Sequence, residues 1–116
     1  MRWENVTGAF TEEQRHYKNT YLEISEVYDD NVEVSLFSAT NAPYEIYVAY
    51  GIMSGIVYAE EQEARLIREE IKKELENEYQ KHKEPTDEFI NVFAEKYNLC
   101  LPDNLYFDAS TFLGMF

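Results

Sequence analysis

Residues 21–50 read YLEISEVYDDNVEVSLFSATNAPYEIYVAY, and this stretch decides the fold. Val32, Val34 and Leu36 alternate with Glu33 and Ser35, the period-two pattern of a half-buried strand. The residues before them, 21–28, are rich in β-formers. Asp29-Asp30-Asn31 between the two runs is turn chemistry, so the pair predicts a hairpin. Residues 38–43 read as a loop, and residues 44–50 as a third strand. Tyr44, Ile46, Val48 and Tyr50 then share one face, and Glu45, Tyr47 and Ala49 the other. An antiparallel meander is the economical topology for these strands.

Working outward, Gly51 and Gly55 bracket a bend from strand to helix, with the strand able to run on through Val57. Residues 58–83 are rich in Glu, Ala, Leu, Arg and Lys and predict a long helix. Ala64, Ile67, Ile71, Leu75 and Tyr79 follow three- and four-residue steps and form one apolar stripe. That stripe should pack on the sheet face carrying Ile46 and Val48. Pro85 ends the helix. Thr86 reads as the N-cap of a second one, with Phe89, Ile90, Phe93 and Tyr97 as its apolar face and Asn98 as a left-handed C-cap. Upstream, Thr11 and Gln14 fit a capping box opening a short helix from Glu12 to about residue 19. Leu105-Tyr106-Phe107 reads as a short fourth strand or an extended tail, followed by an apolar end. The expected class is therefore α+β. A three- or four-stranded antiparallel meander packs against one long amphipathic helix and a shorter C-terminal one, all in a single domain spanning residues 1–116.

Charge is the most unusual property. Asp and Glu number 23 against 10 Lys and Arg, a formal net charge of −13. Residues 19–64 contain no Lys or Arg at all, yet hold Glu23, Glu26, Asp29, Asp30, Glu33, Glu45, Glu60, Glu61 and Glu63. Residues 65–83 are close to balanced. Such a chain should be repelled by nucleic acid and by anionic lipid, and attracted to basic surfaces. No apolar run is long enough to span a membrane. The single cysteine, Cys100, allows no internal disulfide and sits between Leu99 and Leu101, where a small buried hydrophobe is the expectation. A cytoplasmic location follows from the same cysteine count.

Catalytic and metal signatures are missing from the sequence. Gly8, Gly51, Gly55 and Gly114 lack both nucleotide-binding spacings. Glu78 and His82 share a helical face, but two ligands do not make a metal site. Asp29, Asn31 and Glu33 alternate like the start of a calcium loop, but Val34 stands where its turn glycine belongs and Thr40 where its bidentate glutamate belongs. The expectation is a non-enzyme that needs no cofactor and no metal. Several of the ten tyrosines alternate with acids, and tyrosine is enriched at protein interfaces. The candidate contact set is Glu23, Glu26, Tyr28, Asp29, Asp30, Glu33, Glu45 and Tyr47, meeting a basic surface of another protein.

In size and charge the chain resembles the small acidic proteins of phages and mobile elements that disarm nucleases, including anti-CRISPR and anti-restriction proteins, and the immunity proteins of toxic nucleases. That resemblance implies an inhibitor whose carboxylates stand in for phosphates. The other readings of the same residues are a self-associating structural or regulatory module, and a small enzyme or ligand-binding domain with a carboxylate-lined pocket.

Overall fold

The computed structural model of the chain describes residues 2–100. Strands β1 (Trp3–Asn5), β2 (His16–Tyr17), β3 (Thr20–Tyr28), β4 (Val32–Ala39), β5 (Tyr44–Tyr50) and β6 (Met53–Ala59) form one antiparallel sheet in the order β1-β3-β4-β5-β6. The two-residue β2 also pairs with β3. Helix α1 (Glu12–Arg15) lies between β1 and β2, and α2 (Glu61–Lys81) and α3 (Asp87–Tyr97) follow the sheet. The α+β class and the two C-terminal helices match the sequence reading. The sheet, however, has more strands than the three or four expected. The segment 105–107 and the apolar end lie outside the described residues.

The largest difference falls at Gly51. Rather than bending into a helix, the chain reverses over Gly51-Ile52 and returns as β6, with Tyr50 paired to Met53. Gly51 has φ +59°, which glycine adopts without strain at the first position of a two-residue hairpin turn. Gly55 is needed for a different reason. An added Cβ there would stand 2.8 Å from the Cys100 carbonyl oxygen and 3.0 Å from the Leu99 side chain. Cys100 itself is partly exposed rather than buried. It forms an antiparallel bridge with Ile56 at the outer edge of β6.

Local capping follows the sequence closely. Thr11 and Gln14 close a capping box on α1, which stops at Arg15 rather than near residue 19. The Thr86 hydroxyl accepts from the Phe89 N–H, and Asn98 takes the left-handed conformation with φ 55°. The Tyr28–Val32 turn is tighter than its residues prefer. Asp29 and Asp30 both have positive φ, near +55°, in a turn that favours glycine at its second central position. Asp30 is exposed. Asp30→Gly should therefore stabilise the fold by about 1 kcal/mol, the cost of a non-glycine residue in the left-handed region. Chemical denaturation should show a raised midpoint with an unchanged slope.

The core lies between one sheet face and the two C-terminal helices. Tyr28, Val32, Val34, Leu36, Ile46, Val48, Tyr50, Met53 and Val57 from the strands meet Ala64, Ile71, Leu75 and Tyr79 of α2 and Phe93 of α3. The expected packing of the α2 stripe over Ile46 and Val48 is present. One position differs: Ile67 is only partly buried, and Arg68 is the buried residue beside it.

Candidate acidic docking face

Cross-strand partners share a sheet face, so the register sorts every strand residue to one side or the other. The helix-covered side carries the rows Trp3–Tyr28–Val32–Tyr50–Met53, Asn5–Glu26–Val34–Val48–Gly55 and Ile24–Leu36–Ile46–Val57. The opposite side carries Glu4–Val27–Glu33–Ala49–Ser54, then Ser25–Ser35–Tyr47–Ile56, then Leu22–Phe37–Glu45–Tyr58. A β-bulge at Glu23 lets both Leu22 and Ile24 find their own sides. Neither long helix packs on this second side, since the buried residues of both join the core on the first.

Glu26 falls on the helix-covered side. Its Oε1 accepts from Arg68 Nη1 and, at 2.7 Å, from Lys72 Nζ. Glu69 meets the same two cations, at 2.9 Å and 3.6 Å. Burial alone would raise the Glu26 carboxyl, but the hydrogen bonds and charges of Lys72 and Arg68 outweigh it and hold the group below the usual range. Trp3 closes this cluster, with its ring 5.3 Å from Lys72 Nζ and its Nε1 donating to Glu76 at 3.0 Å. Glu26 thus holds β3 to α2.

The hairpin turn is tied down in a similar way. Tyr79 OH donates to Asp29 Oδ2 at 2.6 Å, Asn31 Nδ2 donates to Tyr79 Oη at 2.9 Å, and Lys83 Nζ stands 3.6 Å from the same Asp29 oxygen. The bond from Tyr79 lowers the Asp29 pKa. Tyr28 is 1% exposed and packs its ring against Trp3 and Tyr79, so its aromatic surface is spent on the core. Glu23 accepts from Ser38 Oγ at 2.7 Å. The cations missing from residues 19–64 return in space through α2 and the residues after it.

The remaining candidates behave differently. Glu33, Glu45 and Tyr47 lie together on the side away from α2 and α3, and Glu4 joins them there, while Leu22, Ser25 and Ser35 of the same side are buried. No Lys, Arg or His occupies these three rows; the nearest cations are Arg15, whose Nε donates to the Leu22 carbonyl at 3.0 Å on the outer edge of β3, and Lys18, 5.3 Å from the Tyr17 ring in a fourth row, Tyr17–Thr20–Ala39. Ser35 Oγ lies 3.0 Å from Glu33 Oε2 and 2.8 Å from Ser25 Oγ. A carboxylate only accepts, so Ser35 donates to Glu33 and Ser25 donates to Ser35. Burial, and secondarily the Glu33 charge, push the Tyr47 phenol up. Asp30 stands exposed at the turn. Glu4, Phe37, Ile56 and Tyr58 are the members that sequence reasoning missed.

Glu45 is half-buried, and burial pushes its carboxyl up. A carboxyl with a folded pKa above its unfolded value holds its proton more tightly when folded. Its effect on stability therefore turns unfavourable as pH rises through the interval between those values. Glu45→Gln should match or exceed the wild type in stability at pH 7. The difference should vanish below about pH 4, under the ordinary glutamate range. Thermal melts across that span would check both statements.

Among the described residues, no group of three His, Cys, Asp or Glu is placed to hold a metal ion, and no helix is long and apolar enough to cross a membrane. Glu78, considered above with His82, instead accepts from the N–H and hydroxyl of Thr86, at 3.2 Å each. No protein-family model, no curated protein and no solved structure matches this chain.

Proposed function

We propose that this protein is a small acidic inhibitor that docks on a basic, nucleic-acid-binding surface of a partner protein, in the manner of anti-defence or immunity proteins. The observation that carries the reading is the sorting of charge. Cations are concentrated in the helical layer, several in ion pairs with Glu26, Glu69, Asp29 and Glu74, while the sheet side away from α2 and α3 carries Glu4, Glu33 and Glu45 with no cation in their rows. Carboxylates on a sheet lose little freedom on binding, and an uncancelled field speeds encounter with a basic partner. On this reading the contact set is Glu33, Glu45 and Tyr47 with Asp30 at its rim, and Glu26, Tyr28, Asp29 and Glu23 support it from behind. The protein acts without a cofactor, binds neither DNA nor RNA itself, and meets its partner in the cytoplasm.

The test is capture from lysate on immobilised protein at low and high salt, with the Glu33→Lys/Glu45→Lys double variant alongside. A partner retained by wild type at low salt, released by salt or by duplex DNA, and lost from the variant supports the reading. A partner retained equally by the variant opposes it. Phe37, Tyr47, Ile56 and Tyr58 between the acids favour a second reading, self-association through this face. A dimer that persists at high salt would mark that alternative.

A further inference from the structure

The row Phe37–Glu45–Tyr58 crosses three adjacent strands, with Glu45 directly opposite Phe37 on one side and Tyr58 on the other. Directly opposed residues bring their Cβ atoms to about 5 Å, so the row sets an aromatic residue on the strand to either side of Glu45. Phe37 is half-buried and Tyr58 is 48% exposed. The acids of the neighbouring strands β3 and β4 all have partners. Glu23 has Ser38, Glu26 has Arg68 and Lys72, and Glu33 has Ser35. Glu45 has no hydrogen bond or ion pair among the described residues, and burial is the sole influence that shifts its carboxyl. A half-buried carboxylate without a partner costs stability, and a ligand cation would relieve that cost.

We propose that this row is an arginine niche, in which a partner's guanidinium pairs with the Glu45 carboxylate while lying against the Phe37 or Tyr58 ring. The inference rests on the reading of this face as a docking surface for a basic partner. Arginine fits better than lysine for three reasons. Its planar fork can meet a carboxylate with two hydrogen bonds, its flat face stacks on aromatic rings, and it is more weakly hydrated than an ammonium group. A lysine would bring charge alone into a niche that already penalises solvated groups. The carboxylates along the rest of the face then supply steering, and this row supplies the preference.

Two capped peptides test the proposal on the intact chain, Ac-Gly-Arg-Gly-Arg-Gly-amide and its lysine counterpart. Each is titrated into isotopically labelled protein and followed by amide chemical shifts. The expected result is perturbation centred on Phe37, Glu45 and Tyr58, with the arginine peptide binding about fivefold or more tightly than the lysine peptide. Glu45→Gln should bring the two peptides within about twofold of each other. Phe37→Leu, with its carboxylate intact, should reduce the arginine preference while leaving lysine binding unchanged. The well-dispersed spectra of both variants would confirm that they fold. Equal affinity for the two peptides on the same face would overturn the niche and leave the docking face standing. Perturbation confined to the Asp29–Asp30 turn or to Glu60, Glu61 and Glu63, or no perturbation at all, would overturn both.

Discussion

Ile71→Ala should destabilise the protein by about 3–4 kcal/mol, within the range for emptying a fully buried aliphatic site. Ile71 has no exposed surface, and it sits mid-helix between Ala64 and Leu75 on the stripe that meets Val34, Ile46 and Val48. β-Sheet and helix backbones hold the walls of that site apart, so little of the lost volume can be recovered by collapse. The melting temperature should fall by roughly 12–16 °C for a chain of this length. The exposed neighbour Leu66, 67% accessible, is the control. Leu66→Ala should stay within about 0.5 kcal/mol of wild type, as surface changes usually do. Equal losses at both sites would show that the helix does not pack by this stripe.

Glu26→Ala should cost about 3 kcal/mol, near the lower end of the range for removing one partner of a buried ion pair. Arg68 is 8% exposed and would keep its charge without its main counter-ion, although Glu69 would still meet it. Arg68 Nε already has no hydrogen-bond partner, so the site has no slack to absorb the loss. The pH dependence has the opposite sign to that of Glu45. The folded pKa of Glu26 lies below its ordinary value of 4.5, so its contribution is in place above that value and is lost as pH falls through the lowered one. Wild type should therefore lose stability on acidification more steeply than Glu26→Gln. Parallel acid profiles for the two would remove Glu26 from its role in joining β3 to α2.

The contrast between Glu26 and Glu45 shows where the sequence was legible. Thr11, Thr86 and Asn98 were readable as caps because each acts on backbone groups within a few residues of itself. The β3–β4 hairpin and the alternation in β5 were readable because period two needs only neighbours, and the same alternation placed Glu45 and Tyr47 together. Glu26 was not readable in this way. Its neutralising cations stand more than forty positions downstream, so a run without Lys or Arg in the sequence is not a region without them in space. Arg68 was missed on the buried stripe for the same reason, since an arginine looks like surface until its acid is known. β6 was hidden because Gly51 and Gly55 interrupt the β-formers of residues 51–59, and only the close approach of Leu99 and Cys100 explains the second of them. With β1 unrecognised, Glu4 could not be placed on the face at all.

On the proposed reading, the sheet side away from α2 and α3, rather than the hairpin turn, makes the functional contact. Surface plasmon resonance against the captured partner, at two salt concentrations, tests it most directly. Rim charges act mainly on association and buried anchors on dissociation. Glu33→Lys/Glu45→Lys should slow association by at least about tenfold and flatten its salt dependence, and Tyr47→Ala should speed dissociation. A Glu60, Glu61, Glu63 triple lysine variant should retain most of the wild-type association rate, and Asp29→Lys/Asp30→Lys, which alters one rim charge of the contact, should slow association less than Glu33→Lys/Glu45→Lys does. Wild-type kinetics in the Glu33→Lys/Glu45→Lys protein, with binding lost in either of the other two, would place the contact elsewhere and contradict the account.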